Sequence, residues 1–227
     1  MARTVNPTVH AERREAFLDA AQALIQTKGY EQMSIQDVLD AQGASRGAFY
    51  HYFDSKAALL EAVIDRMSEV VLATAEPILA DPSLRAAEKL GTVFSTIRRW
   101  KNERRDLMLA ILRVWLSDEN AIVREKLRRV TIERLTPILA EIVRQGCSDG
   151  EFSTPSPEES ARVLVSIILS AQEVAGELYI ARQANAIPLE IVERRFSAYS
   201  DACERLLGAT PGSLSLVDRQ TIQIWFG

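Results

Sequence analysis

A serine between two glycines is the first pattern in this sequence that could carry chemistry. The stretch Gly43-Ala44-Ser45-Arg46-Gly47 has the spacing Gly-x-Ser-x-Gly, which in hydrolases places a nucleophilic serine on a sharp strand-to-helix turn. The apolar spacing before Ser45 is helical, and the only downstream histidine, His51, lies six residues further on in the same short helix. We therefore expect no catalytic residue here, and we interpret the chain as a protein that is not an enzyme.

The remaining reactive side chains do not form a metal site by spacing. Cys147 and Cys203 are far apart in the sequence, and His10 and His51 do not complete a ligand set with them. We expect reduced thiols, no metal and no cofactor.

Charge and hydropathy limit the classes of partner. A net charge of −4 argues against a protein that coats nucleic acid indiscriminately, because such binding depends on clustered Lys and Arg. Any nucleic-acid contact must then come from a local patch. The first 15 residues are polar, and no uninterrupted apolar stretch of membrane-spanning length is expected, which predicts a cytoplasmic chain with no membrane partner.

Helical periodicity dominates the chain and predicts an all-α fold. Helix one is expected from about Ala11 to Lys28, and Ser34 with Asp37 has the spacing of a capping box for a second helix that ends at Gly43. Ser45 can cap a third helix over 46–52, and Asp54 or Ser55 a fourth. These elements predict an N-terminal head, residues 1–55, followed by a helical domain over 56–227.

The second domain has long helices, expected from about 120 through Pro137 to Gly146, over 158–183 and over 188–207. No structure is predicted for the tail, residues 209–227.

Residues 34–60 have the pattern of a helix-turn-helix, in which two short helices are separated by a tight turn. Gly43 suits a backbone with positive φ, and Ala41 and Ala44 are small enough for two helices to cross closely. Arg46 is the only long cation at the start of the third helix, where it could pair with guanine O6 and N7 in a major groove. The segment therefore predicts DNA binding.

The same segment resembles the tetracycline-repressor (TetR) family. Its pattern Gly-x-Ser-x-Gly-x-x-Tyr followed by Phe-x-x-Lys-x-x-Leu is matched by Gly43, Ser45, Gly47, Tyr50, Phe53, Lys56 and Leu59. The motif resemblance covers roughly residues 11–71, and beyond them only the order of helices is similar.

The resemblance implies phosphate contacts from Tyr50 and Lys56 and groove contacts from Ser45, Arg46, Ala48 and His51. The expected DNA-binding set also includes Ser34, Gln36 and Gly47. Residues 1–56 hold six Lys or Arg against seven Asp or Glu, so we expect modest affinity per subunit and a need for dimerisation.

The later helices are expected to bind an effector and a second subunit. Arg113 lies in an apolar run and needs an acidic partner, Glu173 or Glu177, or an anionic ligand. The expected ligand-binding residues are Trp100, Arg113, Trp115, Glu173 and Tyr179. A basic run over 98–105 is a candidate for contacts to flanking phosphates. The resemblance implies a homodimer through the last two long helices.

Together these features predict a transcriptional regulator that binds double-stranded DNA at a palindromic operator and is released by a small molecule. Two alternatives remain open: a helical enzyme, and a helical small-molecule carrier whose N-terminal helices are only structural.

Overall fold

The computed structural model describes residues 7–117 and 120–227, with the side chains of Pro7 and Arg113 outside the description. Within these residues all regular structure is helical, which confirms the predicted all-α class. The helices are α1 Pro7–Lys28, α2 Ile35–Gln42, α3 Arg46–Tyr50, α4 Lys56–Ala80, α5 Ala86–Glu103, α6 Arg105–Trp115, α7 Ala121–Ser148, α8 Pro157–Gln183, α9 Leu189–Leu207 and α10 Arg219–Phe226.

The chain divides into two compact units. The first comprises the described residues of Met1–Val70 and Arg104–Leu127, and the second those of Val71–Glu103 and Arg128–Gly227. Helix α6 thus packs with the N-terminal helices and contacts α1, an association across the sequence that local periodicity does not reveal.

The first unit is organised around buried aromatic and aliphatic side chains. Phe17 and Leu18 of α1, Leu39 of α2 and Phe49 of α3 are all buried, and each such side chain contributes roughly 1.5–3 kcal/mol to folding. The remaining buried members of this core are Ala20, Ala21, Ile25, Tyr30, Met33, Val38, Phe53, Leu59, Leu60, Val63 and Val114. The short helix α3 is therefore held by its neighbours, because five residues are too few to be stable alone.

A polar contact fixes α4 against α1 in the same unit. The Arg66 guanidinium donates to Asp19 Oδ1 at 2.7 Å, to Glu15 Oε2 at 3.2 Å and to Gln22 Oε1 at 2.9 Å. The three acceptors lie on one face of α1 at i, i+4 and i+7, so one side chain on α4 spans two turns of α1.

The second unit has two apolar clusters. The larger is built from α5, α7, α8 and α9, and it includes Leu90, Val143, Leu164 and Leu207. Gly146 of α7 is required there because a Cβ atom would stand 2.1 Å from the Phe152 ring. Helix α7 continues through Pro137, as expected.

The tail is structured, although its sequence predicted no element. Leu214 and Leu216 are buried in the larger cluster, and Ile222 and Phe226 of α10 pack with α8 and α9 in the smaller one. The backbone of this tail also reaches α5, because Arg98 Nη1 donates to Leu216 O at 2.9 Å. Polar anchors at single residues, which leave no periodic pattern, explain why the tail could not be predicted.

Helix α8 is long and largely apolar. It is 27 residues long and apolar enough to cross a membrane by length and composition, with 28% of its most apolar window buried. Val163 and Ile180 on this helix are about half exposed. Glu173 and Glu177 interrupt the apolar stretch of α8, so this helix does not contradict the prediction that no uninterrupted apolar stretch has membrane-spanning length.

Candidate nucleic-acid interface

Helix α2 begins with a complete capping box. The Asp37 backbone N–H donates to Ser34 Oγ at 3.1 Å, and the Ser34 backbone N–H donates to Asp37 Oδ2 at 2.7 Å. Lys28, at the end of α1, donates to both Asp37 oxygens at 2.7 Å. The Lys28 hydrogen bond, supported by the Ser34 donors, holds the pKa of Asp37 well below its usual range. This network fixes where α2 starts relative to α1.

Gly43 makes the turn between the two helices. Its backbone has φ +56° and ψ +34°, a left-handed conformation that glycine adopts without steric cost. Its N–H bonds Asp40 O at 3.3 Å, and the next N–H, of Ala44, bonds Leu39 O at 3.0 Å. The carbonyls at the end of α2 are thereby satisfied and the chain turns directly into α3.

Ser45 is the N-cap of α3. Its hydroxyl accepts a hydrogen bond from the Ala48 N–H at 3.3 Å, and helix α2 with its turn precedes it. A hydrolase elbow would need a strand before the serine, so the hydrolase interpretation does not fit this site.

The opposite sides of α3 have different roles. Phe49 is fully buried and contacts Phe17 and Phe53, with ring centroids 5.8 and 5.7 Å away. Arg46 and Tyr50 are exposed on the other side, and Tyr50 keeps 44% of its surface accessible. An exposed aromatic residue beside an exposed cation, on a helix anchored through its buried face, is suited to contact a groove and its phosphates.

The other predicted DNA-binding residues fall into two groups. Gln36, Gly47 and His51 are exposed, whereas Ala48 is half-buried. The predicted third helix extended to residue 52, but α3 ends at Tyr50 and His51 is its C-cap.

Lys56, the first residue of α4, is already engaged within the protein. Its ammonium lies 4.2 Å from the centroid of the Tyr30 ring and donates to Glu31 O at 3.4 Å. To bind a phosphate, the Lys56 ammonium would therefore have to contact it in addition to the Tyr30 ring and Glu31 O, or leave those two groups.

His10 was not among the predicted residues, and it lies beside the predicted residue His51. The His10 ring, on α1, lies 5.3 Å from the His51 ring and 4.6 Å from the Tyr52 ring, centroid to centroid. The available signal was periodicity, since His10 precedes the buried Phe17 by seven residues, or two helical turns.

The predicted ligand-binding residues remain predictions. Trp100 lies in α5 and Glu173 in α8, both half-buried, and Tyr179 packs against the smaller cluster of the second unit. Trp115 is the last residue of α6, in the first unit. The Arg113 side chain lies outside the described residues.

Two surface grooves in the second unit do not contain these residues. One, of about 440 Å³, runs along α5 past Ala87, Gly91 and Ser95, and the other, of about 280 Å³, lies between α9 and the tail beside Phe196 and Glu204.

The predicted basic run is partly used inside the protein. Arg98 binds tail carbonyls and pairs with Asp218 Oδ2 at 3.2 Å, and desolvation lowers the pKa of Lys101. A DNA role for Arg104 and Arg105 stays a prediction.

A short helix anchored by buried aromatics, preceded by a capped helix and a glycine turn, is a helix-turn-helix of the kind found in DNA-binding proteins. Residues 17–63 match the family model described as bacterial regulatory proteins, tetR family. The predicted resemblance of this segment to the TetR family is therefore confirmed by the family model.

A bacterial regulator is similar to part of this chain. An uncharacterized HTH-type transcriptional regulator of Lactococcus lactis subsp. lactis is 48% identical over 52 residues, which is 23% of this chain and 26% of that relative. The match thus spans about a quarter of the relative's length.

Two solved structures share the fold over most of the chain. A TetR transcription regulator from Haloarcula marismortui has a TM-score of 0.61 at 22% identity, covering 85% of this chain and 98% of the other. The transcriptional regulator FadR from Bacillus subtilis, in complex with stearoyl-CoA, has a TM-score of 0.58 at 18% identity, covering 86% and 98%. At these identities the likeness establishes the fold.

Proposed function

We propose that this protein is a ligand-responsive transcriptional repressor that binds a palindromic operator as a homodimer and is released by a small molecule. The observation that carries the proposal is the exposed side of α3. Arg46 and Tyr50 face solvent there, while Phe49 anchors the same helix in the core.

In this proposal the start of α3 enters the major groove. Arg46 binds a guanine edge, and Ser45, Gly47, Ala48 and His51 surround that contact. Tyr50 binds a backbone phosphate, and Lys56 does so from the start of α4.

Helix α2 supplies the second part of the interface. Gln36 is exposed and donates to Asp40 Oδ1 at 2.7 Å, which leaves its carbonyl oxygen to accept from DNA. The Ser34 hydroxyl already donates to Asp37 Oδ2 at 2.7 Å, so it can only accept a hydrogen bond at DNA. We therefore propose a weaker DNA contact for Ser34 than for Gln36.

A second copy of the chain would cover α8 and α9. The apolar surface of α8 at Val163 and Ile180 is the support for this dimer, because exposed apolar patches on a helix mark interaction surfaces. A two-fold dimer would present two copies of α3 to major grooves about 34–36 Å apart or a multiple of that spacing. The protein would act in the cytoplasm.

The effector would weaken operator binding only if it binds the released conformation of the dimer more tightly than the DNA-binding conformation. The FadR structure contains stearoyl-CoA, so acyl-CoA thioesters are the first class to test. Trp100, Arg113, Trp115, Glu173 and Tyr179 are the proposed contacts.

The experiment begins with selection of bound duplexes from random DNA by the purified full chain. Arg46→Ala and Tyr50→Ala should each weaken binding by about 1–3 kcal/mol while circular dichroism shows the same helix content. Arg129→Ala is the matched control, since Arg129 is an exposed arginine on α7.

Selected duplexes are then offered with acyl-CoA thioesters and other metabolites, and release of DNA is measured. Failure to enrich any duplex, or equal loss of binding in the Arg129→Ala control, contradicts DNA recognition by α3. Tight DNA binding that no metabolite changes contradicts ligand-responsive release alone.

A further inference from the structure

Lys101 lies on the apolar side of helix α5, near the end of that helix. Leu90, Phe94 and Ile97 precede it at spacings of three and four residues, which places all four on one side of the helix. Leu90 and Phe94 are buried in the larger apolar cluster, and Ile97 and Lys101 are half-buried. A lysine thus continues the buried side of α5.

Comparable cations of the second unit have acceptors within the protein. Lys89, which is buried, donates from Nζ to Leu79 O at 2.8 Å, and the half-buried Arg98 donates from Nη1 to Leu216 O at 2.9 Å. Lys101 differs from both, because its ammonium makes no hydrogen bond and no ion pair with any residue that the structure describes. It is a partly buried cation that the described residues do not neutralise.

The tail contacts α5 close to Lys101 but binds other residues there. The Trp225 indole N–H donates to Asn102 Oδ1, and Arg98 Nη2 pairs with Asp218 Oδ2 at 3.2 Å. The carboxylate of Asp218 is thus used by Arg98 and not by Lys101. An acceptor for the Lys101 ammonium would then come from a bound molecule.

Burial without an acceptor makes the charged form of a lysine unfavourable. Desolvation lowers the pKa of Lys101, which is the expected effect of removing an ammonium from water. An anion restores the lost interaction, because carboxylate and phosphate oxygens accept short, charge-assisted hydrogen bonds from an ammonium. The side of α5 that carries Phe94 and Ile97 is apolar, so the rest of such a molecule would be apolar too.

We propose that the Lys101 ammonium binds the anionic group of the effector, an apolar molecule that carries a carboxylate or a phosphate. The inference rests on the proposed function, because it takes the bound anion to be the molecule that releases the operator. It adds Lys101 to the proposed effector contacts and limits the effector to one chemical class. Uncharged and cationic apolar molecules should bind more weakly, because neither offers the ammonium a negative charge.

The test is calorimetric titration of the purified full chain with probes that share one alkyl chain and differ in the head group. Decanoate and decyl phosphate are the anions, decanol is the uncharged probe and decyltrimethylammonium the cation, each used below its critical micelle concentration. Both anions should bind more tightly than the other two probes, and comparing them shows whether carboxylate or phosphate is preferred. Lys101→Met should bind the anions about 10- to 100-fold more weakly, because a hydrogen bond to a charged group is lost.

Two further variants and the ligand-free protein provide controls. Arg99→Met is the matched control, since Arg99 is an exposed cation on the same helix and its loss should not change anion binding. Lys101→Arg keeps the positive charge and should recover part of the affinity. Without ligand, Lys101→Met removes a desolvated charge and should raise the Tm by about 2–4 °C, whereas Arg99→Met should leave it unchanged.

Wild-type protein that binds neither anion, or binds decanol as tightly as decanoate, overturns the proposal. Unchanged anion binding by Lys101→Met, an equal loss in Arg99→Met, or a Tm that does not rise in Lys101→Met also overturns it. The anions are then added to a duplex selected from random DNA, and a bound anion that releases no duplex is not the effector. If no duplex is selected at all, the proposed function fails, while the titrations still decide whether Lys101 binds an anion.

Discussion

Two glycines four residues apart allow one chemical change to be tested in opposite backbone environments. Gly43 has φ +56°, whereas Gly47 lies within helix α3. Both are exposed, and a Cβ atom at either position would have nothing within 4 Å. The effect of alanine on stability must therefore come from the backbone and not from packing.

The two substitutions should have opposite signs. Gly43→Ala places an L-residue in the left-handed region and should lower the free energy of unfolding by about 1–2 kcal/mol. Gly47→Ala removes glycine from a helix and should raise it by up to about 0.5–1 kcal/mol. Urea denaturation followed by circular dichroism, with hydrogen exchange of the Phe49 amide as a local measure, would detect the difference. A change of the same sign in both variants would mean that the backbone conformations of Gly43 and Gly47 do not determine the effect of alanine.

DNA binding gives the second readout of this pair. The free protein leaves space beside Gly47, so only bound DNA could meet the new methyl group of Gly47→Ala. We expect a variant that is at least as stable as wild type and binds the selected duplex tenfold or more weakly (about 1.4 kcal/mol). Unchanged affinity would mean that the start of α3 does not approach the groove closely.

Three further substitutions test how the units are built. The hydrogen bond from Lys28 lowers the pKa of Asp37, so the ionised Asp37 stabilises the folded protein. This contribution to the free energy of unfolding is complete above the ordinary carboxyl range and is lost as pH falls below about 4. Asp37→Asn should remove it, which unfolding measured across acid pH would show. Gly146→Ala should destabilise the second unit by about 1–3 kcal/mol, since its Cβ would stand 2.1 Å from the Phe152 ring, and an unchanged Tm contradicts the packing. Arg66→Ala should lower the free energy of unfolding by up to about 1 kcal/mol, because its carboxylate partners on α1 are largely exposed and regain water, and urea denaturation measures the loss.

Local signals made the head predictable. Ser34 with Asp37 marks the start of α2, Gly43 its end and Ser45 the start of α3, and each works through contacts only a few residues apart. The end of α3 was predicted two residues too late because aromatic packing continues past it through Phe53.

Long-range contacts were not predictable in the same way. His10 meets His51 across 41 residues, and the indole N–H of Trp225 donates to Asn102 Oδ1 across 123 residues. The family resemblance implies a phosphate contact from Lys56, but it did not indicate that the Tyr30 ring lies against the Lys56 ammonium. Pairings of this kind depend on how helices pack against one another. The periodicity of a single helix shows which face is buried but not which residues of another helix it meets.

Hydrogen exchange of the full chain, with and without a duplex selected from random DNA, tests most directly whether α2 and α3 read DNA. We expect added protection in the amides of residues 34–56, with the largest change from Ser45 to His51. Protection that leaves this segment unchanged and appears only in α8 and α9 would contradict it.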